Sequence, residues 1–382
     1  MNRQTLKLAL LAVLFGLTVG MLAPRLLKGE WREWFEEKEP VITLPEGELK
    51  TDTFSLRLLQ TALQTPEYPS PLVCPAAMTE ALRTLSEMSR GATQEQIAAL
   101  SLGKSDSELQ TSAVMVGMDE SLPQAESSQP LLLLPFRSNY PEAVSTFNTL
   151  FGYPAADSSN TSPETRLFMA ARTELLCSFR HPFYAEDGKN GDFDNADGSM
   201  PAVRLMRRCG SFRVAEAEDG SWKAVALLLK GRFVGNENAA FVAILPQGKA
   251  RDFALQLTPE QLSGIRRALA AAEPKTLTVE LPKLHFSVAV NDAAPLVCAL
   301  GIPAPFDIRA ADFSPLTTET VALNTLAESV ACVMTEEARK PDDIPVPTAA
   351  SRVFSLTRPF LWFMGDLTTD TPFEVFGIVE NL

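Results

Sequence analysis

The chain has 382 residues, 46% of them apolar, and a formal net charge of −13 at pH 7 with a pI near 4.8. This apolar content is enough for a substantial buried core. The acidic balance argues against a nucleic-acid partner, because phosphate recognition needs a concentrated basic face. The basic side chains that do cluster are interpreted as a solvated strand face; they are Arg204, Arg207, Arg208 and Arg213.

Residues 1–28 begin with Arg3 and Lys7 and continue into an uncharged run of 17 residues from Leu8 to Pro24. A run of this length lies at the lower limit for a membrane anchor and is slightly long for the core of a signal peptide. Both interpretations stay open at this point. Either one sends the remaining chain out of the cytoplasm, as a secreted, periplasmic or membrane-anchored protein.

Residues 29–49 follow this segment and carry Trp31 and Trp34 beside charged residues, which is typical of a juxtamembrane helix and linker. The folded domain is therefore predicted to cover 50–382. Its first element is an amphipathic helix over 53–64, where the apolar residues recur mostly at helical spacing.

The next segment, 74–100, predicts two helices. Gly91 is expected to end the first of them, and Thr93 to cap the second, with Gln96 three residues later. The polar, Ser- and Gln-containing stretch 104–130 predicts a loop or a weak helix.

From residue 130 onward, alternating strand patterns are mixed with short helices and show no βαβ rhythm. The predicted fold class is therefore α+β with a mostly antiparallel sheet.

The sequence offers no conventional catalytic centre, and we expect no enzyme activity. His181 and His285 are the two histidines, and both lie in strand-like segments that favour a structural role. No GxSxG motif is present, and Cys209 lacks the neighbours of a papain-like nucleophile.

No cofactor or metal is expected. The five cysteines are scattered without a CxxC pair, which indicates buried thiols rather than disulfides or a zinc site. The acidic turn 187–199 contains Asp192, Asp194 and Asp197, but the twelfth position counted from Asp192 is Val203 and not the glutamate of an EF-hand. We interpret it as a solvated turn.

Segments spread along 50–382 resemble, in order and spacing, the conserved blocks of the serpin family. They are CPAAMTEALRTLSEMSRGATQEQI, TRLFMAARTELLCSFRHPF, LGIPAPFDIRAADFSPLT, RPFLWFM and VFGIVENL. The resemblance implies the serpin fold, with a helical N-terminal part, mostly antiparallel sheets and an exposed reactive-centre loop at about 336–356.

A typical serpin inhibits a serine or cysteine protease by a mechanical route. The protease cuts the loop, and the loop then inserts as a new central strand of the large sheet while the protease is held as an acyl-enzyme. Insertion requires small residues in the first part of the loop and a sheet that can open.

Two alignments of the hinge, where this loop begins, are open. In the first, MTEEA at 334–338 is the hinge, with Glu336, Glu337 and Ala338 at the family's Glu-Glu-Gly positions. In the second, AESVACV at 327–333 is itself the hinge. The first is favoured because it retains the strand that the family has before the loop.

On the first alignment the loop is predicted not to insert, so that inhibition is weak or lost. Because strand side chains alternate, the inward face would carry Arg339, Pro341, Asp343, Pro345 and Pro347. Each proline lacks a ladder donor, and burying the unpaired charges would cost several kcal/mol apiece. On the second alignment, Glu328 falls where the family has an inward threonine.

The region where serpins open the large sheet also departs from the family pattern. The two serines, asparagine and histidine of the family are matched by Cys74, Ala77, Ala171 and Glu328. Phe179 stands where the family has a tryptophan.

The family also places a helix over the front of the large sheet. Because few residues follow the helix-like segment 140–152, this chain is expected to lack that helix.

The family's usual spacing of about sixteen residues from the first hinge glutamate puts the scissile bond at Arg352–Val353, a trypsin-like site. Arg339–Lys340 is the runner-up. Two functions remain in view. One is a serpin directed at a protease with weak or lost inhibition, and the other is a non-inhibitory serpin-fold binding or structural module outside the cytoplasm.

Overall fold

The structure is a computed structural model of the whole chain. It describes residues 42, 53–68, 70, 72–100, 102, 112–125, 131–230, 238–290, 292–337, 352–369 and 371–382. Residues 1–28 and nearly all of 29–49 lie outside this set, so the expected anchor or signal and the expected linker stay predictions. Within the described part of the chain, no helix is both long and apolar enough to cross a membrane.

The helices carry their apolar residues on one face, as the sequence pattern predicts. They are α1 Thr53–Gln64, α2 Pro75–Glu87, α3 Gly91–Ala98, α4 Tyr140–Phe151, α5 Ala250–Gln256, α6 Pro259–Ala271 and α7 Ala294–Ala299. The predicted bounds of α1 agree with those observed. The prediction for α3 is wrong in detail: Gly91 begins the helix with a φ of 55°, Arg90 is its N-cap, and Thr93 is buried inside it.

The strands are β1 Leu72–Val73, β2 Ser112–Asp119, β3 Leu132–Leu134, β4 Leu167–Phe179, β5 Lys189–Asp192, β6 Ala202–Glu216, β7 Trp222–Lys230, β8 Ala239–Pro246, β9 Lys275–Pro282, β10 His285–Val290, β11 Thr325–Met334, β12 Val353–Ser355, β13 Phe360–Asp366 and β14 Val375–Val379. Most neighbouring strands are antiparallel, and together with the helices they confirm the predicted α+β class. The expectation of a loop or weak helix over 104–130 is wrong for 112–119, because its apolar residues complete the sheet beside β4.

The front sheet has the order β3-β2-β4-β11-β10. Its two central strands, β4 and β11, run parallel to each other, whereas β2 and β10 are antiparallel to their central neighbours. A second sheet has the order β1-β14-β13-β8-β7-β6, and β6 continues into a third sheet with β5, β9 and β12.

Side chains alternate across the front sheet and supply two cores. On β4, Met169, Ala171 and Cys177 face the main core, where they pack with residues of the second sheet. Phe168 and Ala170 face the opposite side and join a smaller core with helix α4.

The expectation that this chain lacks a helix over the large sheet, which is the front sheet of this structure, is wrong, because helix α4 lies there. Its buried Phe147 lies edge-on to Phe168 of β4, with ring centroids 4.9 Å apart, in a cluster that also includes Ala327 of β11. The segment 140–152 is therefore itself the covering helix. The error arose because β3 is only three residues long and carries no recognisable strand period in the sequence.

Candidate sheet-opening site and reactive loop

The two central strands of the front sheet form a closed seam. β4 and β11 are paired from Thr325 opposite Phe168 to Met334 opposite Cys177, over the whole length of β11. We call this pair of strands the seam, because a serpin loop would have to enter between them.

The segment AESVACV, 327–333, lies inside β11 and pairs on both sides, with β4 and with β10. This is the arrangement that the first hinge alignment requires, since that alignment retains a strand before the loop. The second alignment would need the same residues to leave the sheet.

The first residues after β11 stay hydrogen-bonded to neighbouring segments of the same chain, at the end of β4 and at Lys283. The amide of Thr335 donates to the Cys177 carbonyl oxygen at 3.0 Å, and its hydroxyl lies 3.2 Å from that of Ser178. One residue further on, Lys283 donates from Nζ to Oε2 of Glu336 at 2.9 Å.

Glu337 extends this pairing beyond the seam. Its amide donates to the Phe183 carbonyl oxygen at 2.8 Å, and its own carbonyl accepts from the amide of Ala185 at 3.1 Å. The start of the expected hinge is therefore held by backbone hydrogen bonds, and the Glu336 side chain, which is only 6% exposed, is held by an ion pair.

The remaining loop residues of interest divide between the described and undescribed parts of the chain. Ala338, Arg339 and Lys340 lie outside the described residues. Arg352 and Val353 are described and exposed, at the start of β12. The Arg352 carbonyl oxygen accepts from the amide of Thr278 at 2.9 Å, and Val353 pairs with Thr278 of β9. A protease that binds this bond must first open that pairing, because it needs an extended, unpaired substrate.

The expected sheet-opening residues meet near the end of the seam at which β11 begins. Glu328 of β11 is opposite Ala171 of β4, and both side chains face the main core. Cys74 precedes α2 and contacts both strands, through a side-chain hydrogen bond with Thr173 of β4 and a main-chain hydrogen bond to Glu328 of β11. Ala77 lies buried in the first turn of α2.

Glu328 is a buried carboxyl group, 3% exposed, in the interior of the molecule. Its Oε2 accepts a hydrogen bond of 2.6 Å from the hydroxyl of Tyr68. Burial raises the pKa of Glu328 to about 7, although the hydrogen bonds from Tyr68 and Cys74 act in the opposite direction. Burial, together with the nearby Glu328, also raises the pKa values of Tyr68 and Cys74, so these two groups stay neutral.

Phe179 does not join this cluster. It is buried at the far end of β4, where its ring lies 5.1 Å from that of Phe183 and 6.3 Å from that of Phe241. It acts there as an aromatic packing residue between the front sheet and the second sheet.

The basic cluster differs from the expected solvated face at one position. Arg213 is only 6% exposed, and its Nη1 donates to the carbonyl oxygens of Ala270 and Ala272 at 3.1 and 2.6 Å. Arg207 lies 3.4 Å from the Glu280 carboxylate. In the acidic turn, Asp197 accepts from both the amide and the hydroxyl of Ser199, as in an ordinary Asx turn.

Sequence reasoning missed Tyr68, which follows α1 in a polar stretch and reaches Glu328 across 260 positions of sequence. It also missed that Cys177 and Cys332 lie side by side. All five cysteines are free; Cys74, Cys177 and Cys332 are buried, and the other two are half-buried. Among the described residues, no group of three or more His, Cys, Asp or Glu side chains is arranged to hold a metal ion.

A front sheet whose two parallel central strands form a closed seam, together with a second and a third sheet joined through β6, is the arrangement of the serpin class of fold. The family model for serpins, described as serine protease inhibitors, matches residues 156–380, more than half of the chain. This chain therefore belongs to the serpin family.

A curated relative, serine protease inhibitor 88Ea of Drosophila melanogaster, is 25% identical over 174 residues. The matched stretch is 42% of this chain and 40% of the relative, so the chain spans about two fifths of the length of that relative.

Solved structures resemble the chain over nearly all of their own length. Native protease nexin-1 with heparin matches at 17% identity and a TM-score of 0.70, covering 87% of this chain and 98% of that one. Uncleaved ovalbumin matches at 15% identity and a TM-score of 0.72, covering 88% and 100%. Serpin-12 of Manduca sexta matches at 15% identity and a TM-score of 0.70, covering 87% and 98%. At these identities the likeness shows the fold.

Proposed function

We propose that this serpin-family chain binds a serine or cysteine protease through the loop at about 336–356, and that its suicide inhibition is weak or lost. The observation that carries the proposal is the set of prolines and charged residues that the loop would have to place between β4 and β11, which are paired along all of β11. Insertion must replace these β4–β11 hydrogen bonds with bonds to the loop.

The loop sequence is poorly suited to this exchange. Pro341, Pro345 and Pro347 have no amide to donate, so three ladder positions of a central strand would lose a hydrogen bond. On the same face, Arg339 and Asp343 would enter a core whose inward side chains are mostly apolar. Burying these charges unpaired is unfavourable by several kcal/mol each.

The hinge contacts support the same conclusion. The bonds of Glu337 with Phe183 and Ala185, and the ion pair of Glu336 with Lys283, must break before the loop can turn back toward the seam. For insertion to be favourable, the contacts made by the inserted loop would have to compensate for the loss of these hinge contacts and of the β4–β11 hydrogen bonds.

The test is to incubate the full chain with trypsin-like and other serine proteases, and with cysteine proteases. SDS-resistant complexes are assayed, and the thermal midpoint is measured before and after loop cleavage. We expect cleavage without a covalent complex and with little change in midpoint. A covalent complex, or a rise above about 5 °C on cleavage, would show that the loop inserts.

A loop variant sharpens this experiment. The inward positions are changed together, as Arg339→Ala, Pro341→Ala, Asp343→Ala, Pro345→Ala and Pro347→Ala. The matched control changes outward positions only, as Lys340→Ala, Asp342→Ala, Ile344→Ala and Val346→Ala. If the inward face is what blocks insertion, the first variant gains thermal stability on cleavage and the control does not.

The second candidate is a non-inhibitory serpin-fold module that acts as a binding or structural protein. Its support is the pairing of the Arg352 carbonyl with Thr278, because the backbone of the preferred bait bond is then hydrogen-bonded to β9 and not free to bind a protease. Reversible, saturable protease binding favours the first candidate. Absence of binding to every protease tested, with intact folding, favours the second.

We place both candidates outside the cytoplasm, on the strength of the uncharged run from Leu8 to Pro24. This segment serves either as a cleaved signal or as a membrane tether, and no nucleic-acid partner is proposed. N-terminal sequencing of the mature protein and extraction of membranes with carbonate separate the two. Recovery of the full chain in the soluble cytoplasmic fraction would contradict both.

A further inference from the structure

Three sulfur atoms from three strands meet on the inward face of the seam, near the end of β11. Sγ of Cys177, on β4, lies 3.7 Å from Sγ of Cys332, on β11. The same Cys177 sulfur lies 3.2 Å from Sδ of Met364, on β13 of the second sheet. All three side chains are buried, with 0% exposure.

The register of the sheets explains this meeting. Cys177 is paired with Met334 and Cys332 with Leu175, so the two cysteines are diagonal neighbours on the inward face of the seam. Met364 faces them from the second sheet, beside the stacked rings of Trp362 and Phe286. Apolar side chains of similar volume would be enough to fill this space. All three positions nevertheless carry sulfur.

Thiolate and thioether sulfurs are the ligands that Cu(I) prefers over the harder oxygen and nitrogen donors. A metal–thiolate bond is about 2.3 Å long, so three sulfurs in a plane around one ion lie about 4.0 Å apart. The observed separations of 3.7 and 3.2 Å need only small outward movements to reach this geometry.

We propose that Cys177, Cys332 and Met364 form a site for a single Cu(I) ion. Both thiols lose their protons to solvent as the ion binds, and the thioether coordinates as a neutral ligand. The ion cancels the charge of one thiolate, so the loaded site carries one net negative charge. No oxidation or reduction takes place.

Such a site joins both strands of the seam to the second sheet. Because Cys177 and Cys332 belong to the strands that must separate, a bound ion would hold the seam closed. This consequence rests on the proposed role of the seam, whereas binding of Cu(I) to the three sulfurs does not.

The experiment uses the reduced full-length chain under anaerobic conditions, with tetrakis(acetonitrile)copper(I) as the source of Cu(I). The ion is added both to the folded protein and during refolding, so that slow entry into a buried site is not mistaken for absence of a site. We expect one Cu(I) per chain to be retained against a coloured Cu(I) chelator, a higher thermal midpoint, and sulfur neighbours alone in copper X-ray absorption.

Variants assign the ligands. Met364→Leu preserves volume and Cys332→Ala removes a thiol, and each should lower the affinity for Cu(I) by more than about tenfold. The matched control is Cys209→Ser with Cys298→Ser, which removes two thiols elsewhere and should leave the affinity unchanged. No retained ion by either route, nitrogen or oxygen neighbours, or equal affinity in all variants would overturn the assignment. Loss of the ion in Met364→Leu with an unchanged unfolding transition excludes misfolding as the cause.

Discussion

The hydroxyl of Tyr68 donates a hydrogen bond of 2.6 Å to the carboxyl group of Glu328, joining the segment after α1 to a central strand of the front sheet. Cys74 reaches the same carboxyl group through its main-chain amide and reaches β4 through Thr173. The end of the seam at which β11 begins is thus held by a buried polar cluster. The contribution of this cluster to the stability of the fold depends on the protonation of Glu328.

The first prediction concerns pH. Burial raises the pKa of folded Glu328 to about 7 from an ordinary value of 4.5. The folded chain therefore holds an additional proton, and the stabilisation is complete below about pH 4.5 and lost as the pH rises through 7. The difference is on the order of 3 kcal/mol. Urea unfolding between pH 5 and pH 8.5 should show this loss in the wild type and a flatter profile in Glu328→Gln.

Glu95→Gln, at an exposed glutamate on α3, is the matched control and should follow the wild-type profile. If Glu328→Gln also follows it, Glu328 does not titrate in this range.

The second prediction concerns the hydrogen bond itself. Tyr68→Phe removes the donor and leaves the Glu328 carboxyl buried with one hydrogen bond fewer, which should lower the free energy of unfolding by about 1–3 kcal/mol. The pKa of Glu328 should rise further, because the Tyr68 hydrogen bond lowers it. Chemical unfolding at pH 6 and pH 8 measures both effects. Tyr153→Phe, at a half-buried tyrosine outside the cluster, serves as control, and equal effects of the two changes would contradict the assignment.

The third prediction concerns the hinge. Lys283→Met removes the ion pair with Glu336 and leaves that nearly buried carboxylate without its cation. Because the hinge can open and expose Glu336 to water, the cost to global unfolding should stay at about 1 kcal/mol, as for a partly exposed pair. The local effect should be larger: amide exchange at Thr335 and Glu337 should become several-fold faster as the hinge opens more often. Hydrogen exchange followed by mass spectrometry measures it.

The control for the hinge is Lys223→Met, which removes an exposed pair with Glu216 on β6. Unchanged exchange at 335–337 in Lys283→Met would show that the backbone hydrogen bonds of Glu337 hold the hinge without the ion pair.

The fourth prediction concerns the order of cleavage by trypsin. Cutting at Arg352–Val353 requires local opening of the bond between the Arg352 carbonyl and Thr278, so this cut should follow the cut at Arg339–Lys340. Mass spectrometry of a time course identifies the first cut. Arg339→Gln, which leaves Arg352 in place, should delay the first loop cut, and an initial cut after Arg352 in the wild type would contradict this order.

The sequence predicted the parts of the fold that depend on local pattern. The helix over 53–64 follows from its apolar spacing, and the α+β class follows from the mixture of strand and helix patterns. The covering helix α4 was misassigned because β3 gives no local signal, and Thr93 was misassigned as a cap because a capping pattern does not reveal burial.

Membership of the serpin family was determined by the sequence alone, because blocks in a fixed order are a local property of the chain. The position of the reactive loop and its unsuitability for insertion stay predictions from the same local patterns. Only the tertiary structure decided that Tyr68 meets Glu328, that Thr278 holds Arg352, and that Cys177, Cys332 and Met364 share one space. These contacts join residues up to 260 positions apart, and they are fixed by sheet register and by the packing of two sheets, which no local pattern encodes.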